Sequence, residues 1–325
     1  MKFRSECKKP WHFLHSYVII LKIVRISGKN GEERNMIRKA YLYACTLLIM
    51  ILCMAAIYVG VHKKQDSHTV SLYSWHSELM DQSLFHSLSQ VLTDFEVNRV
   101  YQYMSVNRLE NPAMEVMIRN LADIGVETVA LNGDNAWLHD GLDELEQVLQ
   151  SIAHYNETVL EEYRIRKIAL DVEVHLLEEW DEDQIACFEQ YITVMKEAKE
   201  MANSYGLQVI QVIPTRYDDV DQELFLRFLQ ECCDELSIMN YNKSSAYTAI
   251  AYEVEACREY GIPVESVFET MPVSEEYGVT KENTFFYDDL EELFKASRKI
   301  KEVYGRDVGI GYHQLSTIYE MKERL

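Results

Sequence analysis

The sequence lacks the short signatures that identify many enzymes. It has no glycine-rich phosphate loop, no G-x-S-x-G nucleophile turn and no H-E-x-x-H zinc helix. Its seven cysteines include no C-x-x-C pair and no zinc-ligand spacing, so they read as small buried hydrophobes. Cys232 and Cys233 are neighbours on an expected helix, so only one of them should face inward. Positive charge is scarce over most of the chain. Residues 65–325 carry 20 Lys/Arg against 50 Asp/Glu, a balance of −30. A surface that acidic repels nucleic acid and anionic headgroups, which argues against DNA or RNA as a partner.

The basic residues collect at the other end. Residues 1–40 hold ten Lys/Arg against three Glu. Residues 41–61 follow without one formal charge, and at about 1.5 Å per residue they reach about 30 Å, the thickness of a bilayer core. Arg34, Arg38 and Lys39 precede this run, so the positive-inside rule puts the N-terminus in the cytoplasm and the acidic part outside. Lys63 and Lys64 weaken that asymmetry without reversing it. A cleaved signal peptide fits less well, because the run is long and no A-x-A site follows it. Met36 would serve as an alternative start directly before the anchor. The expected organisation is a basic segment over 1–40, a transmembrane signal anchor over 41–61, a linker over 62–69 and a folded domain over 70–325.

That domain alternates strands and helices. Strands are expected at 70–74, 99–104, 127–131, 167–174, 207–213, 236–241, 263–268 and 307–312, with a helix after each. Eight such units in about 255 residues match an α/β (β/α)8 TIM barrel in count and size. A doubly wound sheet would need fewer strands and a glycine-rich first turn, and Ser74-Trp75-His76 is not one.

Barrel active sites lie at the C-terminal ends of the strands. The fourth strand reads Ile-Ala-Leu-Asp-Val-Glu-Val-His, an apolar start that ends in charge. Alternation along a strand puts Asp171, Glu173 and His175 on one face. The other strand ends contribute Trp75, then Asp134 and Trp137, then Tyr217, Asn240 and Tyr241, Glu269, and Tyr312 with His313. This set is acidic and aromatic and has few cations, which disfavours phosphorylated substrates. Aromatic faces and carboxylates suit sugars. A pair of carboxyl groups is also what glycosidic cleavage requires, one to protonate the leaving oxygen and another group to stabilise the cationic centre.

Leu170-Asp171-Val172-Glu173 on the fourth strand and Met239-Asn240-Tyr241 on the sixth resemble signatures of family 18 glycoside hydrolases. Only the last D-x-E of that family's D-x-x-D-x-D-x-E run is present, since Ala169 stands at an earlier aspartate position. The chain is closer to a looser group of bacterial glycoside-hydrolase-like barrels. That group pairs an A-L-x-G-D-x-x-W segment with L-D-[IV]-E-[PV]-H and an eighth strand ending G-[IV]-x-[IY]-H. Here these are Ala130 to Trp137, Leu170 to His175 and Gly309 to His313.

The resemblance implies a sugar-active barrel with Glu173 as general acid/base. Two mechanisms stay open. In the favoured one, Glu269 is the nucleophile of a retaining pair. In the other, Asp171 orients Glu173, Tyr241 assists, and an N-acetyl group of the substrate attacks. Trp75, Asp134, Trp137, His175, Asn240, Tyr241, Tyr312 and His313 would contact substrate. No cofactor and no metal are expected. A metal hydrolase using Asp171, Glu173, His175 and His313 lacks the early H-x-H of such barrels. The resulting expectation is a membrane-anchored, outward-facing glycosidase acting on a surface polysaccharide. The alternative from another class is a catalytically silent polysaccharide-binding barrel.

Overall fold

The computed structural model describes residues 68–324. The expected basic segment and membrane anchor lie outside these residues. Among the described residues, no helix is long and apolar enough to cross a membrane.

Eight strands form a closed, all-parallel barrel in chain order. They are β1 (Val70–Ser74), β2 (Arg99–Tyr103), β3 (Glu127–Asn132), β4 (Lys167–Asp171), β5 (Gln208–Pro214), β6 (Glu235–Met239), β7 (Val264–Glu269) and β8 (Val308–His313). β8 returns to β1 through the pairs Val70–Ile310 and Leu72–Tyr312. The main helices are α1 (Gln82–Asp94), α2 (Pro112–Asp123), α3 (Asp143–Thr158), α4 (Gln184–Ser204), α5 (Gln222–Cys232), α6 (Ala251–Tyr260), α7 (Leu290–Tyr304) and α8 (Leu315–Glu323).

Local sequence sets the helix ends. Asp81, Asn111, Asp183 and Asp221 each cap a helix by accepting a backbone N–H, and Pro112 occupies the first turn of α2. Gly261 closes α6 in the left-handed region, where other residues would be strained. Because α5 ends at Cys232, Cys233 sits beyond the helix and both thiols are buried; the expectation of one buried cysteine does not hold.

Strand alternation sorts the core into two shells. Ile168 and Leu170 face the helices, in one large cluster with residues such as Leu72, Phe188 and Ile310. Ala169 faces the barrel interior with Tyr73, Tyr101, Val129, Leu131, Ile210, Val212, Met239 and Val267. The N-terminal end of the interior is polar. Arg99 binds Glu127 at 2.9 Å and Glu235 at 2.7 Å, and Lys167 bridges to the same two carboxylates. Ser237 donates to Glu265 at 2.7 Å beside them. Gly309 and Gly311 on β8 make room for this layer. A Cβ at Gly309 would lie 2.8 Å from the Glu265 Cβ, and one at Gly311 would lie 2.8 Å from Ser71 and Val267.

β4 departs from expectation. It stops at Asp171, and Val174–Leu176 forms a 3-10 turn. The chain leaves the sheet after Asp171, so strand alternation does not itself place Glu173 and His175 beside Asp171.

Candidate functional site

Asp171 is the last residue of β4 and points into the barrel, in phase with Ala169. Its Oδ1 is buried and has no hydrogen-bond partner. Burial, and then the neighbouring Glu173, hold its carboxyl well above the usual carboxylate range. Glu173 is held from the next loop, where its backbone N–H donates to Asn135 Oδ1 at 2.7 Å. Its side chain is 30% exposed, enough to reach a ligand. Burial raises its carboxyl too.

His175 turns back towards Glu173, with Nε2 3.4 Å from Oε2. Its Nδ1 lies 3.2 Å from the Tyr217 hydroxyl. Burial pushes this imidazole down to about 4, so at neutral pH it is uncharged and its contact with Glu173 is not an ion pair. The 3-10 turn therefore restores what the strand was expected to do, by a different route.

Gly133 explains the close approach of the β3 loop. A Cβ there would lie 2.0 Å from the Asp171 carbonyl oxygen, so only glycine lets this loop cross the end of β4. Asp134 is exposed and caps the turn by accepting from Ala136 N–H at 2.8 Å. Trp137, expected to contact substrate, is instead 3% exposed and belongs to the core between sheet and helices.

Asn240 is fully buried. Its Nδ2 donates to the Ala246 carbonyl and to Ser266, which fixes the loop after β6 and takes it away from substrate contact. Tyr241 packs on the inner cluster. Burial, then Glu269, Asp171 and Glu173, push its phenol well up, so it remains a hydrogen-bond donor among three carboxyl groups. Tyr312 faces away from the site, its hydroxyl 3.2 Å from Ser297 on α7 and its ring edge-on to Phe95. Adjacent strand residues cannot both face inward, and it is His313 that does.

The end of β8 joins the ends of β7 and β1. His313 Nδ1 lies 3.1 and 3.2 Å from the two oxygens of Glu269. Trp75 Nε1–H donates to His313 Nε2 at 2.8 Å. Glu269 is 2% exposed, and its Oε1 also accepts the N–H groups of Thr270 and Met271, each at 2.7 Å. Trp75 is half-buried beside Tyr103, whose ring is covered by the Arg108 guanidinium.

Asp171, Glu173, His175, Tyr241, Glu269, His313 and Trp75 thus share the barrel mouth, while Trp137, Asn240 and Tyr312 support it from behind. Gly133, Asn135, Tyr103 and Arg108 were not singled out from the sequence. Gly133 and Asn135 lie inside the A-L-x-G-D-x-x-W segment, which was the available signal. Among the described residues, no three His, Cys, Asp or Glu side chains are arranged to hold a metal ion. A crease of about 590 Å³ lies on the loop after β7, lined by Val273, Lys281 and Tyr287 among others, and it includes none of the mouth residues.

No known family's sequence profile matches the chain, and no curated protein matches it in sequence. Solved structures do match in shape. The C-terminal domain of a chitinase candidate from Desulfitobacterium hafniense superposes with a TM-score of 0.51 at 11% identity, covering 80% of this chain and 99% of that one. The PgaB glycoside hydrolase domain from Bordetella bronchiseptica gives 0.50 at 9% identity, covering 79% and 96%. A family 18 chitinase from Pseudoalteromonas aurantia gives 0.46 at 10% identity, covering 79% and 100%. At such identities the likeness concerns the fold alone, a (β/α)8 barrel shared with the Desulfitobacterium hafniense and Bordetella bronchiseptica domains.

Proposed function

We propose that the barrel is a glycoside hydrolase acting on a cell-surface or exopolysaccharide glycan, with Glu173 as its general acid/base. The observation that carries this reading is the Asp171–Glu173 pair. Two carboxyl groups lie at the barrel mouth, both raised by burial, one of them reachable from solvent. A protonated Glu173 gives its proton to the glycosidic oxygen as the bond to the anomeric carbon breaks. The oxocarbenium-like centre is then met by a nucleophile, and Glu173 later takes a proton from the incoming water.

The hydrogen bonds on Glu269 bear on the choice of nucleophile. Glu269 is 2% exposed, its Oε1 accepts from two backbone amides and His313 Nδ1 lies against both oxygens, so the carboxylate is poorly placed to reach an anomeric carbon. This favours the second mechanism, in which the acetamido oxygen of the substrate attacks, Asp171 orients Glu173 and that developing ring, and the Tyr241 hydroxyl donates to it. The substrate class is then a 2-acetamido sugar polymer. Placement outside the cell on an N-terminal membrane anchor belongs to the same proposal and rests on the uncharged run over 41–61.

The test is hydrolysis of a panel of bacterial exopolysaccharides and cell-wall glycans by the full-length chain and by Glu173→Gln. The expected result is release of reducing ends by wild type, with a loss of about 10²–10⁴-fold in the variant and unchanged glycan binding. Equal binding by both proteins without cleavage by either would favour the catalytically silent polysaccharide-binding barrel.

A further inference from the structure

We propose that Glu269 and His313 are positioning residues that hold the Trp75 indole as the fixed floor of the sugar subsite, and that Glu269 is not the attacking carboxylate. The proposal deepens the glycosidase reading and rests on it.

The hydrogen-bond chemistry leaves one arrangement. An indole N–H can only donate. Trp75 Nε1 is 2.8 Å from His313 Nε2, so Nε2 must be the unprotonated, accepting nitrogen. A neutral imidazole then carries its proton on Nδ1, and that proton points at Glu269, 3.1 and 3.2 Å away. A doubly protonated imidazole would offer Trp75 no acceptor. Glu269 in turn cannot rotate freely, because Thr270 and Met271 N–H groups grip Oε1. The order runs from the backbone of the β7 loop through Glu269 and His313 to Trp75. Each member fixes the next, in the manner of a carboxylate that sets the tautomer of a histidine.

The far end of this chain is the only aromatic platform among the three, and it is half-buried where Glu269 is 2% exposed. Tyr103 lies 5.9 Å from the indole, and Arg108 donates to the Trp75 carbonyl at 2.9 Å while covering the Tyr103 ring. The Tyr241 ring stands 6.3 Å from His313. An indole fixed at its N–H edge and braced by a second ring presents a face of defined tilt. That is what an apolar sugar face requires of a platform.

The experiment uses the full-length chain and a β-1,4-linked pentamer of N-acetylglucosamine as probe, with His313→Gln, His313→Asn and Glu269→Ala. Nitrogen-15 NMR of the ligand-free protein reads the tautomer directly. The expected result is a His313 proton on Nδ1 and a Trp75 indole N–H shifted by its bond to Nε2. His313→Gln keeps an acceptor for the indole, whereas His313→Asn loses it. His313→Asn should therefore lower kcat/KM by about 10-fold or more, chiefly through KM, and His313→Gln should retain most of it.

Azide added to Glu269→Ala should form no glycosyl azide and restore no turnover. A proton on His313 Nε2, equal losses in the two His313 variants, or azide rescue of Glu269→Ala would each overturn the proposal. If wild type leaves the pentamer intact, the glycosidase reading fails for that sugar and the platform role fails with it. The tautomer measurement then still reports whether the three-residue chain exists.

Discussion

The two ends of this barrel carry the same kind of residue under opposite electrostatics. At the N-terminal end Glu127 and Glu235 are bound by Arg99 and Lys167. Burial alone would push the Glu235 carboxyl up, but the two cations outweigh it and hold it below the ordinary range. At the C-terminal end Asp171 and Glu173 meet no Lys or Arg among the described residues, and burial raises both. A buried carboxylate without a cation costs enough that it holds its proton instead. Glu127 and Glu235 therefore use their charge to close the barrel, while burial raises Glu265 beside them. The mouth keeps protons that can be given to a substrate.

The comparison breaks most visibly at the base. Arg99→Met leaves the largely buried Glu235 and the more exposed Glu127 with Lys167 as their remaining cation, and should cost about 3 kcal/mol in urea unfolding while leaving hydrolysis per folded molecule intact. A stable variant would mean that the base network is ornament. Next in size is Gly133→Ala. Its Cβ meets the Asp171 carbonyl at 2.0 Å, so the β3 loop must lift. About 1–3 kcal/mol and most activity should be lost together, read by melting and by glycan turnover.

Asp171→Asn sharpens the mouth side. The folded carboxyl titrates above its unfolded value of about 3.9, so between the two values the folded state holds the extra proton and stability falls as pH rises. The amide removes that loss. Its stability should exceed wild type at pH 7, by about 1.4 kcal/mol for each tenfold by which folding tightens the carboxyl's hold on its proton, and the gain should vanish as pH falls to about 4. Melting temperatures across that range check it. The smallest effect is expected for Glu265→Gln. Ser237 can donate to the amide oxygen as it does to the carboxylate, and Oε2 has no partner in wild type. Its stability should stay within about 1 kcal/mol of wild type.

The contrast also explains what the sequence revealed and what it hid. The eight strand–helix units are readable because periodicity, caps and glycine stops are local signals. The β4 end is not, since alternation continues through Val172–Glu173–Val174 on paper. The chain leaves the sheet there because the β3 loop crosses Asp171, a tertiary contact. Trp137 misleads for a related reason: its position after β3 suggests the mouth, but the short helix Trp137–Asp140 turns it into the core. Tyr312 and His313 separate by alternation alone once β8 is extended by one residue to His313. The pairing of Arg99 with Glu235 joins strands far apart in sequence across the barrel and leaves no local trace.

The most direct measurement is carbon-13 NMR titration of the side-chain carboxyl groups in the ligand-free, full-length protein. It reads both ends in one experiment. Asp171 and Glu173 are predicted to titrate above the ordinary carboxylate range, as an interacting pair, and Glu235 below it. Ordinary values for Asp171 and Glu173 would remove the proton reservoir from the mouth and contradict the assignment of Glu173 as the acid.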